Sequence, residues 1–157
     1  MYRVYIETTI PSYLLSKPNR DIILLTHQEI TKIWWETQKS NYELYISEYV
    51  IQEIIRGDSS LSKKRVEILN DMTILEHNNF IENLVRTYLE NLNFPVKAII
   101  DLFHIACSVY YEMDYLLTWN CKHLANAHFK SKLLKFNNTS GLKTPEICTP
   151  EQLIMEV

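Results

Sequence analysis

Residues 96–120 read VKAIIDLFHIACSVYYEMDYLLTWN, a helix-length run followed by a short strand. As far as Glu112 the run is apolar on nearly every side at a period of 3.6, which predicts a helix packed deep in a domain. Asp101 is the exception. Burying an unpaired carboxylate costs on the order of several kcal/mol, so Asp101 requires a cation, a shell of hydrogen-bond donors or a metal ion beside it. DYLLTW, residues 114–119, then reads as a strand.

The same alternation extends upstream. RVYIE predicts a strand from about Tyr2 to Glu7 running into a helix over TTIPSYLL, where Pro11 is tolerated in the first turn. Lys17 to Asp21 reads as a loop, and the following residues 21–40 carry Ile22, Leu25, Ile30, Ile33 and Trp34 at helical spacing. YELYIS is a second strand, Ser47 an N-cap, and EYVIQEIIR a helix closed by Gly57. Asp58, Ser59 and Ser60 signal a further helix to about Asn70, and MTILE is a third strand. Asn78 and Asn79 start a helix through about Asn91, and Pro95 lies near the start of the Asp101 helix. Downstream, CKHLANAHFKSKLLKFN predicts a helix, EICT fits a last strand, and PEQLIM a terminal helix from Pro150. Short strands alternating with helices predict an α/β fold with a parallel sheet covered on both faces, because parallel neighbours need crossover connections. The 157 residues fit one domain, with no repeat and no linker long enough to separate two. Ligands of such sheets bind at the carboxyl ends of the strands.

Composition removes several classes of function. With 46% hydrophobic and 22% charged residues the chain has a globular balance, and its short apolar runs predict no membrane span and no secretion signal. Three widely spaced cysteines, Cys107, Cys121 and Cys148, form no CxxC pair, which argues against structural zinc and a disulfide framework and suits a cytoplasmic, reducing compartment. Gly57 and Gly141 are the only glycines, too few for a Walker loop or a GxGxxG turn. Net charge is −3, but its distribution is uneven: Asp71 to Asp114 holds seven acids and two bases, and Tyr115 to Pro145 five lysines and no acid. The lysine run reads either as a solvated helix face or, if an active site lies beside it, as a surface for nucleic acid.

Three acids fall where that sheet would bind a ligand. Glu7 ends the first strand, Glu53 lies about two turns into the helix after the second, and Asp101 is on the buried helix. Each has a plainer reading: a strand-end charge beside a helix cap, an exposed helical Glu, and half of a salt bridge. Together they are the oxygen ligand set that Mg²⁺ or Mn²⁺ requires.

At these residues the sequence resembles the PIN-domain family, and within it the VapC-type toxin ribonucleases. VYIETTI, ISEYVIQEIIRG and DLFHIACSVYYEMDYLLTWN carry the likeness in order, over about Arg3 to Ala125. The resemblance implies a three-layer α/β/α fold, metal-dependent phosphodiester cleavage, and acids on the first strand, on the helix after the second, on a central helix and just after the fourth strand. Those positions are Glu7, Glu53, Asp101 and Asn120. The first is usually Asp, and Glu is one methylene longer. The fourth is also usually Asp, and Asn offers a carbonyl oxygen without the charge. Asp114 cannot replace it, being roughly 20 Å away at the other end of the strand. Three formal charges in place of four imply weaker metal binding.

Glu7, Glu53 and Asp101 are thus the expected metal ligands and, with Asn120, the expected catalytic set. Ser12, Thr118 and Lys122 are the expected phosphate or RNA contacts. His104 is expected to be a core histidine satisfied by hydrogen bonds, and His123 to face either the site or solvent. The expected activity is a Mg²⁺- or Mn²⁺-dependent endoribonuclease of the toxin-antitoxin type. A catalytically weakened PIN-like module that binds RNA or protein is the alternative, and another metal-dependent hydrolase a third. The resemblance further implies a homodimer and a small antitoxin partner.

Overall fold

In the computed structural model, which describes residues 1–57, 63, 64 and 67–155, the first strand β1 (Tyr2–Ile6) lies at the centre of a five-stranded parallel sheet. Its neighbours are β2 (Tyr42–Ser47), with Val4 opposite Leu44, and β4 (Tyr115–Leu117), with Val4 opposite Tyr115. The edges are β3 (Thr73–Leu75) and β5 (Glu146–Cys148), giving the order β3-β2-β1-β4-β5. A strand flanked on both sides must be apolar on both faces, and Val4, Tyr5 and Ile6 have no exposed surface.

The connecting helices are α1 (Thr9–Leu15), α2 (Ile22–Thr37), α3 (Glu48–Arg56), α4 (Asn79–Asn91), α5 (Ile99–Tyr110) and α6 (Ala127–Thr139). Residues 63, 64 and 67–69 are also helical, whereas the start signal at Asp58 to Ser60 lies outside the described residues. Local chemistry sets the boundaries. Asp21, Ser47, Asn78 and Asn126 each accept backbone N–H groups of the first turn of the helix that follows. Every residue of α5 from His104 to Val109 is buried, as its all-round apolar pattern predicts. Fully burying one such aliphatic side chain stabilises the fold by about 1.5–3 kcal/mol. Trp34 Nε1 is the one buried side-chain polar atom among the described residues without a hydrogen-bond partner.

Three predicted elements are shorter than their sequence pattern. Residues 121–125 are turns and α6 starts at Ala127, because Asn126 Oδ1 takes the His128 and Phe129 N–H groups and so fixes the helix start there. The Asp101 helix begins with a 3₁₀ turn at Val96–Ala98 and becomes α-helical only at Ile99. The PEQLIM segment forms a single 3₁₀ turn, Glu151–Leu153, since so short a run gains too few hydrogen bonds to offset helix nucleation.

The chain moves outward from β1 to β2 and β3 on one side, then crosses to β4 and β5 on the other. The order therefore reverses between β1 and β4, and a crevice opens beyond the carboxyl ends of two such strands. Glu7 follows β1 there, its N–H donating to Leu117 O at 3.1 Å, and Thr118 to Asn120 follow β4. Asp114 is at the opposite sheet edge, accepting the Arg3 N–H at 2.8 Å and pairing with Lys143. No helix among the described residues is long and apolar enough to cross a membrane.

Candidate active site

Glu7 leaves β1 buried, at 4% exposure, and its Oε2 gathers three donors. They are the Thr9 N–H at 3.1 Å, the Thr9 hydroxyl at 2.6 Å and the Thr118 hydroxyl at 2.7 Å. Thr8 and Thr9 begin α1, yet neither hydroxyl caps it; Thr8 Oγ1 donates instead to Glu53 Oε1 at 2.7 Å. The strand-to-helix corner thus spends its hydroxyls on carboxylates.

Glu53 is brought in by α3, whose start Ser47 fixes at the end of β2. His104, one turn beyond Asp101 on α5 and fully buried, places Nε2 at 2.6 Å from Glu53 Oε1. Its Nδ1 lies 2.7 Å from the Tyr5 hydroxyl, which in turn lies 2.5 Å from Ser47 Oγ. His104 is therefore a core histidine with both ring nitrogens bonded, and it is also a supporting partner of Glu53. Asp101 Oδ2 accepts the Asn120 side-chain amide at 3.1 Å, and Asn120 N–H donates to Thr118 Oγ1 at 2.9 Å.

One oxygen of each carboxylate is thus committed to the protein, and the other is not. Glu7 Oε1, Glu53 Oε2 and Asp101 Oδ1 accept no hydrogen bond from the described residues. None of the three is a fully buried orphan, so each keeps contact with solvent. Ligand atoms of Glu7, Glu53 and His104 all lie within 4.8 Å of one another. Asp101 is outside that trio but close enough to feel it. Two carboxylates and an imidazole, with a third carboxylate alongside, suit a hard or borderline divalent ion and are unsuited to a soft one.

The charge states reflect this crowding. Burial pushes the Asp101 carboxyl above its usual range, and the negative charge of Glu7 adds to it against the pull of His104. Burial also acts to raise Glu53, but its hydrogen bond to His104, the charge of His104 and the Thr8 hydroxyl outweigh it, and the net shift is downward. His104 moves the other way: burial disfavours the imidazolium, yet Glu53, Glu7 and Asp101 together favour it and raise the pKa. Burial holds the Tyr5 phenol well above its usual value, so it stays neutral. Three acids around a single imidazole make the site acid-rich.

The remaining predicted residues separate. Thr118 has no exposed surface, and its hydroxyl is used by Glu7 and Asn120, which makes it a support for the carboxylates. Ser12 is half-buried on α1, and Lys122 is exposed on the turn after Asn120. His123 donates its backbone N–H to Asn120 Oδ1 at 3.1 Å. Sequence reasoning missed Tyr5, Thr8 and Thr9 as parts of the site. The one available signal was the ETT triplet itself, two hydroxyls directly after a strand-end acid.

No protein-family model and no curated protein matches the chain. Among solved structures the fold is that of the VapC toxins, an α/β fold of PIN type. VapBC-1 from nontypeable Haemophilus influenzae aligns with a TM-score of 0.61 and 14% identity, over 94% of this chain and 98% of that one. VapBC2 from Rickettsia felis, solved bound to a DNA fragment from its promoter, gives 0.58 and 15% over 93% and 97%. Mycobacterium tuberculosis VapC20, a toxin that cleaves the sarcin-ricin loop, gives 0.57 and 11% over 72% and 86%.

Proposed function

We propose that the chain is a metal-dependent endoribonuclease of the toxin-antitoxin type, with Glu7, Glu53 and Asp101 holding Mg²⁺ or Mn²⁺. The observation that carries this reading is the pairing of roles within each carboxylate: one oxygen fastened by protein donors and one left free, at the switch point of a PIN-type sheet. Solvated acids elsewhere in the fold, such as Asp21 and Glu146, also bond through one oxygen only; what sets this group apart is convergence, ligand atoms of Glu7, Glu53 and His104 lying within 4.8 Å of one another with Asp101 alongside.

Such an ion supplies Lewis-acid stabilisation of a phosphate oxygen and a lowered pKa for a bound water. The chain's own residues orient and exclude. His104 and Thr8 hold Glu53 by Oε1 and Thr9 and Thr118 hold Glu7 by Oε2, leaving the other oxygen of each without a protein donor among the described residues. Fixing ligand rotamers in advance removes ordering entropy from metal and substrate binding. Asn120 holds Asp101 and stands where the resemblance has a fourth acid; its amide adds a dipole without a charge. A small antitoxin is the partner this reading brings with it, supported by the likeness to two VapBC structures, and a second copy of the chain follows from the resemblance alone.

The test is Asp101→Asn, assayed for Mn²⁺-dependent cleavage of single-stranded RNA and for thermal stability without metal. Cleavage is expected to fall at least 100-fold. Metal-free stability at neutral pH is expected to rise, because the raised folded pKa of Asp101 means its ionisation opposes folding once pH exceeds that value. Unchanged cleavage would exclude the assignment. A wild type that binds RNA but never cuts it would leave the chain as a binding module.

A further inference from the structure

Beyond Asn120 the polypeptide turns away from the acids and borders a second concavity of about 210 Å³. It is walled by Leu92 to Pro95 on one side and by Lys122, His123, His128 and Lys132 on the other, and none of its lining residues is acidic. It is linked to the acidic site by hydrogen bonds, the His123 backbone N–H donating to Asn120 Oδ1 and the Asn120 amide to Asp101.

Five lysines follow β4, and the structure sorts them. Lys130 pairs with Glu146 and the Ile147 carbonyl, and Lys143 pairs with Asp114 and the Glu112 carbonyl, so both charges are spent inside the fold. Lys122, Lys132 and Lys135 have no acidic partner among the described residues, and the first two line the concavity while Lys135 does not. Unneutralised ammonium groups therefore gather where no acid is present. Phe94, a buried core residue at 8% exposure, anchors the Leu92 to Pro95 wall, its ring 6.0 Å from that of His123 and 5.0 Å from that of Phe129.

We propose that this concavity is a subsite for a nucleotide flanking the scissile phosphate of single-stranded RNA. Lys122 and Lys132 meet a backbone phosphate, and His123 and His128 supply further donors. Cationic side chains that meet phosphate hold a strand without reading its sequence. The inference rests on the nuclease reading for the identity of the ligand, and on the lysine sorting for its place.

The experiment measures binding of a labelled single-stranded RNA to the full chain in chelator across a salt series, beside Mn²⁺-dependent cleavage. Lys122→Gln and Lys132→Gln are each expected to weaken binding up to about fivefold. Each should also reduce the slope of log K against log salt by about 0.7. Lys135→Gln, equally exposed but outside the concavity, is expected to change neither. Equal losses at all three positions, or no loss at Lys122 and Lys132, would overturn the subsite. Cleavage by the wild type combined with unchanged binding by the two variants would remove the subsite and keep the nuclease. Lysine-dependent binding without cleavage would do the reverse, and no RNA binding at all would remove both.

Discussion

Replacing Thr118 by Val changes the shape of the site very little and its hydrogen bonding a great deal. The residue has no exposed surface, and Val fills the same volume with a methyl group in place of the hydroxyl. Two hydrogen bonds go: Thr118 Oγ1 to Glu7 Oε2 at 2.7 Å, and Asn120 N–H to Thr118 Oγ1 at 2.9 Å. A bond to a charged acceptor contributes roughly 1.5–3 kcal/mol, and stranding a partly buried N–H adds about 1 kcal/mol. Glu7 keeps its two bonds from Thr9, so the loss is partial and should total about 2–4 kcal/mol. For a chain of this size that corresponds to a fall of roughly 5–15 °C in Tm, small enough to leave a folded protein for assay. The same variant should bind Mn²⁺ more weakly, since Glu7 is no longer held in place. Thr118→Ser is the control, because it restores the hydroxyl and removes only a methyl. A Tm for Thr118→Val within about 2 °C of wild type, or a Ser variant as damaged as the Val variant, would refute the reasoning that this hydroxyl secures Glu7.

The other expectations concern regions away from the carboxylates. Asp114 is held below the usual carboxylate range first by the Arg3 N–H and then by Lys143, so its contribution to stability is present above the unfolded pKa and disappears as pH falls through the lower folded value. Asp114→Asn should therefore destabilise at neutral pH and flatten the loss of stability below about pH 4; parallel acid-unfolding curves for the two proteins would contradict this. Burial pushes the Cys107 and Cys148 thiols up to about 12, whereas Cys121 is exposed on the turn beside Asn120. One thiol should react with a water-soluble disulfide reagent in the native chain and three in urea, and a native count of zero or three would show the turn or the core to be otherwise arranged.

Much of the fold could be read directly, because its signals are local. The period-2 pattern of RVYIE, the all-round apolar α5, and caps such as Ser47 and Asn78 each act within a few residues. Where those signals compete the sequence reading overran. Apolar spacing from Cys121 onward looked helical, but the Asn126 side chain set the start of α6 at Ala127, six residues later, a capping interaction that periodicity does not register.

The sequence by itself determined that an acid in an apolar helix needed partners, and that acids at a parallel sheet's carboxyl edge point to a cation. Only the tertiary structure decided which partners those were. Glu7 and Thr118 are 111 residues apart and meet because β4 returns to the centre of the sheet beside β1, and Glu53 and His104 are 51 apart and meet because α3 packs on α5. Folding likewise chose between the lysines, neutralising Lys130 and Lys143 and leaving Lys122 and Lys132 without an acidic partner among the described residues. The physical reason is range: propensity and capping act within one turn of chain, whereas the energy of a buried charge depends on groups brought to within a few ångströms from anywhere in it.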